Sequence, residues 1–401
     1  MALANKDSKA GTHYSFVAFV KDVASAHEFE QLFRSDTLTN SYVGTGDIDD
    51  AIAWLQKTDR SPQRLLVDIS GSERALDELD RLADACEPSV EVFVVGERND
   101  VGLFRNLLAR GVMDYLVKPL SAELLRRLTL QQAFDAPRQQ GRHGRVIVFH
   151  GTRGGVGTTS VAAHLARALG VGGVRRRVVY VDLNVYDGCG SALLGRPGGN
   201  ALLEVLGNVD RLDQQYLERT LADAGEGLFV LSSEQEYAEH FEPGPGAVAK
   251  LLAVLSRHYH YVVVDAYRRG GWLFEEILGH ASMVCVVADP SVHSARTLVR
   301  LVQAVQSRSN PPTVRCILNH PQPASRSRVH VEDFKAAVDM DIQVQIDYDP
   351  KAPSLAENTA ADLQRGSEFF RGVESLAAQV TGESQGSVKP SFWQRMRRRG
   401  R

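Results

Sequence analysis

The sequence predicts an α/β protein of two doubly wound, mostly parallel sheets joined by a polar linker. Three observations lead there. Short apolar runs of strand length recur along the chain and alternate with stretches of helical periodicity. Several of these runs close on an acid, as in Val67-Asp68, Val181-Asp182 and Val264-Asp265, which puts carboxylates at strand ends. Between residues 145 and 169 an apolar run, a glycine-rich turn and a helical pattern follow one another directly. In open parallel sheets ligands bind at the carboxyl ends of the strands, so the same observations say where function should lie.

Composition sets the outer bounds. At 401 residues the chain can hold two or three domains with sizeable cores, and 43% hydrophobic with 24% charged residues is ordinary for a globular protein. The net charge of -3 gives no global pull on nucleic acid, so DNA is not an expected partner. Cys86, Cys189, Cys285 and Cys316 lie far apart. That spacing suits small buried residues in a reducing compartment better than disulfides or a thiolate metal site. The first fifteen residues lack the apolar core of a signal peptide, and no run reaches the roughly 18 apolar residues of a membrane span. A cytoplasmic location is the expectation.

The first domain is expected over residues 14–130. Tyr14–Val20 reads as a strand, after which Ala26, Phe29, Leu32 and Phe33 recur at helical spacing. Leu65-Leu66-Val67 is a second strand ending at Asp68, and Val90–Val95 is a third. Val101–Leu108 reads as a helix, and Tyr115-Leu116-Val117 runs into Lys118-Pro119. Asp68 at a strand end and Lys118-Pro119 after the last strand resemble response-regulator receiver domains, which have a flavodoxin-like fold. The resemblance implies that Asp68 accepts a phosphoryl group and Lys118 neutralises it. Two positions depart from the pattern. Lys21-Asp22 stands where that family has an acidic pair for Mg²⁺, and Gly96 stands where it has Ser or Thr. A degenerate receiver-like module for docking or dimerisation follows, with a phosphorylation site at Asp68 and a simple turn-capping Asp68 as the alternatives. Residues 131–144 (QQAFDAPRQQGRHG) are polar and aperiodic and read as the linker.

The second domain is expected over residues 145–385. Val146–Phe149 reads as a buried strand, followed by Gly151, Gly154, Gly155 and Gly157, then Thr158-Thr159-Ser160. Val161, Leu165 and Ala168 continue at helical spacing, with His164 and Arg167 on another face. Strand, glycine turn, hydroxyls and helix form a phosphate cradle, since inward-turned N–H groups and the helix dipole attract anions. A hydroxyl at the helix start can ligate Mg²⁺. The usual loop ends in Gly-Lys-Ser/Thr, and here Thr158 takes the lysine's place. Arg175-Arg176-Arg177 reads as a solvated entry to the strand Val178–Asp182. Tyr261–Asp265, Met283–Ala288 and Val314–Leu318 are further strands, the last followed by Asn319; Val248–Leu255 and Leu298–Val305 are helical.

These residues resemble the deviant Walker A ATPases of the MinD/ParA family. Arg153-Gly154-Gly155-Val156-Gly157-Thr158-Thr159-Ser160 stands in for that family's Lys-Gly-Gly-x-Gly-Lys-Thr-Thr. The resemblance implies ATP and Mg²⁺ as cofactors and a homodimer. Gly151, Arg153 to Ser160 and Asn319 would contact nucleotide, and Thr159, Asp182 and Asp265 would hold the metal. Arg153 replaces the lysine that reaches across the dimer, Thr158 the P-loop lysine, and Asn184 the second acid of Asp-x-Asp. Losing one charge-stabilising contact commonly costs about 3 kcal/mol at a transition state, so weak or absent hydrolysis and no assigned catalytic residue is the expectation. A receiver-like domain preceding this one is similar to TadZ/CpaE proteins, which implies a role in placing and assembling Flp-type pilus or secretion machinery. The alternatives are an active partitioning ATPase and a phosphorylation-switched regulator. The tail, residues 386–401, sets Phe392, Trp393 and Met396 among basic residues; the segment Lys389–Arg401 suits peripheral contact with the inner face of a membrane, with contact to DNA phosphates and a solvated tail as the alternatives.

Overall fold

The computed structural model describes residues 14–35, 40–58, 61–120, 143–171, 176–266, 271–323 and 329–382. The tail expected to touch a membrane, linker residues 131–142 and Arg175 lie outside them. Among the described residues no helix is long and apolar enough to cross a membrane.

The first unit runs β1 (Phe16–Val20), α1 (Val23–Ser35), β2 (Ser41–Thr45), α2 (Ile48–Lys57), β3 (Arg64–Asp68), α3 (Ala75–Ala85), β4 (Glu91–Gly96), α4 (Val101–Ala109) and β5 (Asp114–Val117). Its strands are all parallel in the order β2-β1-β3-β4-β5, the flavodoxin-like order. Alternation explains the two-sided core. Phe16, Ala18 and Val20 pack with Phe29 and Leu32 on one face. Val17 and Phe19 pack with Leu55, Leu79 and Leu82 on the other. Both faces are covered, as a parallel sheet requires. Truncating a fully buried leucine here, such as Leu66, would cost about 2–5 kcal/mol.

The second unit begins with β6 (Arg145–Gly151), α5 (Thr158–Gly170) and β7 (Val178–Asp182). Short helices α6 (Gly190–Leu193), α7 (Ala201–Gly207) and α8 (Gln214–Thr220) lead to β8 (Ala222–Asp223) and β9 (Leu228–Leu231). Then come α9 (Ala247–His258), β10 (Tyr261–Asp265), α10 (Trp272–His280), β11 (Met283–Ala288), α11 (Val292–Gln306) and β12 (Thr313–Asn319). The unit closes with α12 (Val331–Val338), β13 (Val344–Ile346), α13 (Ala352–Thr359) and α14 (Glu368–Thr381). The strand order is β13-β12-β11-β6-β10-β7-β9-β8, parallel except for β8 against β9. From β6 the chain moves first toward β7, and later crosses from β10 to β11 on β6's other side. That reversal opens a crevice at the carboxyl end of β6, where the glycine loop starts. One face of the sheet is covered by α7 to α12, the other mainly by α5, α13 and α14.

The two units meet at the amino-terminal edges of their sheets. Glu87, only 8% exposed, takes Arg177 Nη1 at 3.1 Å on one oxygen and the Ser61 amide at 3.4 Å on the other. The Arg177 guanidinium also lies 4.9 Å from the Tyr259 ring centre and 5.1 Å from that of Phe229. The expected solvated arginine entry is therefore corrected: Arg176 and the Arg177 side chain are inside, because the seam supplies a carboxylate and ring faces. His164, on a different face of its helix from Val161 and Leu165, is also buried, edge-on to Phe369. Cys86, Cys285 and Cys316 are buried as expected, whereas Cys189 is exposed.

Candidate functional site

The glycine loop leaves β6 at Gly151 and re-enters regular structure at Thr158, the first residue of α5. Gly155 and Gly157 have φ of +74° and +87°, which L side chains rarely adopt, so glycine is needed at both. A Cβ at Gly157 would also sit 2.5 Å from Asn319 Nδ2. That amide donates to the Val156 carbonyl at 2.7 Å, so Asn319, read as a nucleotide contact, fixes the loop with one N–H and keeps its second N–H and its oxygen for other work. Thr158 points back toward β6: a Cβ on Gly151 would lie 2.3 Å from its Oγ1.

Beyond the loop, Arg153 is tied down within its own chain. Its Nε donates to Asp289 Oδ1 at 3.1 Å, its Nη2 pairs with Asp289 Oδ2, and its Nη1 reaches the Gly154 carbonyl at 3.0 Å. Asp289 follows β11 and also accepts from Ser291 and Ser294, while the Ser294 hydroxyl lies 2.8 Å from that of Thr152. Burial alone would raise the Asp289 carboxyl, but these hydrogen bonds, led by Arg153, hold it below its usual range. The loop is thus clamped from both sides, by Asn319 and by Asp289.

The strand-end acids come together. Asp182 and Asp265 are register partners on β7 and β10 and are both nearly fully buried. Asp265 accepts from the Tyr180 hydroxyl at 3.1 Å and from Thr159. Asp182 accepts the amides of Asn184 at 3.0 Å and Gly190 at 3.2 Å. Among the described residues no cation pairs with either. Burial raises both carboxyls above their usual range, and the charge of Asp265 raises Asp182 further. Two adjacent carboxylates and a hydroxyl, all oxygen, fit a hard divalent cation such as Mg²⁺. Thr159 bonds Asp265, which stands beside Asp182, so the three are brought together. Nearby, Asn184 Oδ1 is buried without a hydrogen-bond partner.

The Asp68 pocket is built in the opposite way. Asp68 is fully buried, and its Oδ2 takes Lys118 Nζ at 2.5 Å and the Lys21 amide at 3.0 Å. Its Oδ1 takes the Ser70 amide at 2.9 Å. Lys118 Nζ also reaches Asp22 at 2.6 Å, and Lys21 Nζ is spent on the Ser70 carbonyl at 2.6 Å. Burial opposes ionisation of both acids, yet the hydrogen bonds from Lys118 win and hold Asp68 below its usual range and Asp22 at about 2. Gly96 does end β4, and a Cβ there would meet Tyr115 Oη at 2.5 Å. The tyrosine hydroxyl, bonded to the Arg98 carbonyl at 2.8 Å, fills the space a Ser or Thr side chain would need.

A cleft of about 740 Å³ lies at the seam between the units, lined by residues such as Arg110 and His258, away from both acidic sites. Sequence reasoning missed three residues that shape these sites. Asp289 carried the same signal as Asp182 and Asp265, an apolar strand ending in Asp. Tyr180 stands two residues before Asp182 and so on its side of the sheet. Ser294 gave no signal short of the fold, and Lys21, named in the sequence as a departure from an acidic pair, showed its contacts with Asp68 and Ser70 only in the fold.

The family model described as cellulose biosynthesis protein BcsQ matches residues 145–190. A ParA family ATPase from Chlorobium tepidum TLS is similar at 22% identity and a TM-score of 0.52, over 60% of this chain and all of that one. The septum site-determining protein MinD from Pyrococcus horikoshii OT3, solved with Mg-ADP, is 19% identical with a TM-score of 0.50, over 59% of this chain and 96% of the other. About 60% of the chain has a MinD/ParA-like fold. A pilus assembly protein CpaE from Caulobacter crescentus CB15 matches at 30% identity over 29% of this chain and 97% of its own, with a TM-score of 0.27. Among curated proteins nothing matches.

Proposed function

We propose that this chain is an assembly and localisation factor, of the kind that places Flp-type pilus machinery, built on an ATP-binding fold that turns over little or no ATP. One observation carries the reading: the loop geometry that cradles phosphate is kept while the charges that drive phosphoryl transfer are not. The positive-φ glycines, the start of α5 and the Thr159–Asp265 contact are in place. Thr158 brings no cation, Arg153 is neutralised by Asp289, and Asn184 brings no carboxylate.

Backbone amides of the loop would bind the phosphates, while Thr159, Asp182 and Asp265 would hold Mg²⁺, which supplies charge neutralisation at the phosphates. With the β/γ-phosphates short of a fixed lysine, the transition state gains little over the ground state, and nucleotide serves as a structural ligand. The first unit, its acid already neutralised by Lys118, acts as a docking module in this reading. A homodimer at the inner face of the membrane completes it.

The test is calorimetric titration of ATP with Mg²⁺, run with a turnover assay and with Thr158→Lys beside the wild type. Binding in the micromolar range without turnover, tightened by about tenfold or more in Thr158→Lys, supports the reading. Brisk hydrolysis by the wild type points instead to a partitioning ATPase. Phosphoryl uptake by Asp68 from acetyl phosphate would favour the switched regulator.

A further inference from the structure

Two surfaces at the glycine-loop end of the second unit are complementary in charge, and neither has a use in the site above. The first is a groove of about 350 Å³ between α11 and α12, lined by Val292, Ala295, Val299, Val329, Phe334 and Ala337. Val292 stands at its rim with 66% of its surface exposed. Arg296 and Arg300 line the same groove, one and two helical turns below Val292. Both are exposed, and among the described residues neither has an ion-pair partner.

The second surface is the loop after β9, Glu234-Gln235-Glu236-Tyr237-Ala238-Glu239-His240-Phe241-Glu242. Its four carboxylates have no ion-pair partner among the described residues, and Tyr237 is 79% exposed. The loop is nevertheless held in shape. Tyr186 stacks under Tyr237 with ring centres 6.1 Å apart; its hydroxyl donates to the Glu239 carbonyl at 2.9 Å and accepts the Phe241 amide at 2.6 Å. A preorganised loop with one exposed aromatic and surrounding acids loses little entropy when it docks.

We propose that a second copy of this chain seats its 234–242 loop in the α11/α12 groove, with Tyr237 in the apolar floor and the glutamates on Arg296 and Arg300. The placement allows it by symmetry. Groove and loop follow β11 and β9, which are four strand positions apart, so about 19 Å, and both lie on the face covered by α9 to α12. A two-fold axis normal to the sheet, passing over the end of the middle strand β10, exchanges the two positions. Each loop then meets the other copy's groove, and the contact is made twice in a closed dimer. The buried aromatic supplies the anchor and the charges supply register. This deepens the homodimer of the proposed function and rests on it for the choice of face.

Sedimentation velocity of the full chain tests it, using Arg296→Glu/Arg300→Glu and Glu236→Lys/Glu239→Lys. Each variant alone should be monomeric at concentrations where the wild type is dimeric, and an equimolar mixture should regain the dimer, because both contacts are then of opposite charge. The wild-type dimer should also weaken as salt rises toward about 1 M, where screening acts within about 3 Å. A dimer that survives in either variant, a mixture that stays monomeric, or a wild type monomeric at every concentration overturns the proposal. Thermal melts of each variant confirm folding. ATP titrations on the same samples read the glycine loop separately, so loss of nucleotide binding is not confused with loss of this contact.

Discussion

The two acidic pockets of this molecule have opposite electrostatics. In the first unit Asp68 is sealed, and its charge is balanced by Lys118, which is itself shared with Asp22. In the second, Asp182 and Asp265 face each other across neighbouring strands with only hydroxyl and amide donors around them. The consequences run in opposite directions: the first pair of acids is held ionised, the second is pushed toward protonation. A carboxylate whose partner is built in contributes stability and has no capacity left for a ligand. Carboxylates buried together without a cation cost stability, and such a cost marks a site kept for binding.

The largest effect should come from breaking the first pocket. Lys118→Ala strands Asp68 in the interior and should cost about 3–5 kcal/mol, read from a thermal or urea melt. The sign of its pH dependence follows from the lowered Asp22 and Asp68. Their contribution is complete above the ordinary carboxylate range near pH 4 and fades as pH falls toward about 2. The second pocket should respond in reverse. Asp182→Asn should stabilise the protein at about pH 8 without metal, by on the order of 2 kcal/mol, because it removes one of two buried charges. Since the folded carboxyls are raised, wild type incurs this cost as pH climbs from the ordinary carboxylate range near 4 and in full above about 7, so the gain should shrink below pH 7 and vanish by about pH 4. A destabilised Asp182→Asn at that pH would mean that the Asp182 charge is balanced in the fold.

Smaller effects sharpen it. Gly96→Thr should cost about 1–3 kcal/mol through the clash with Tyr115, and adding Tyr115→Ala should return part of that loss. As a reference for an ordinary surface charge, Lys250→Ala breaks the exposed pair with Asp210 and should change stability by no more than about 1 kcal/mol.

Much of this arrangement was legible in the sequence, and the rest was hidden for physical reasons. Buried parallel strands such as Val262–Val264 announce themselves as unbroken apolar runs, so both sheets and the glycine loop could be placed. The edge strand β2 could not. Its burial is partial, and Gly44 is there because a Cβ would meet the Phe19 ring at 2.6 Å, a demand no local pattern displays. The three-residue β13 is too short to show a period. At the sites, residue types gave the phosphate cradle and the paired acids, but not their partners. That Arg153 turns to Asp289, or that Lys21 and Lys118 close over Asp68, depends on strand order across more than a hundred residues in one case and about fifty in the other.

Asp182 and Asp265 should form an open cation site beside the glycine loop. The most direct measurement is calorimetric titration of Mg²⁺ with and without ATP, on wild type and on Asp182→Asn/Asp265→Asn. Mg²⁺ should tighten ATP binding to wild type by about tenfold or more and do nothing for the double variant. Equal ATP affinity with Mg²⁺ and with a chelator, or an unchanged Mg²⁺ effect in the double variant, would contradict it.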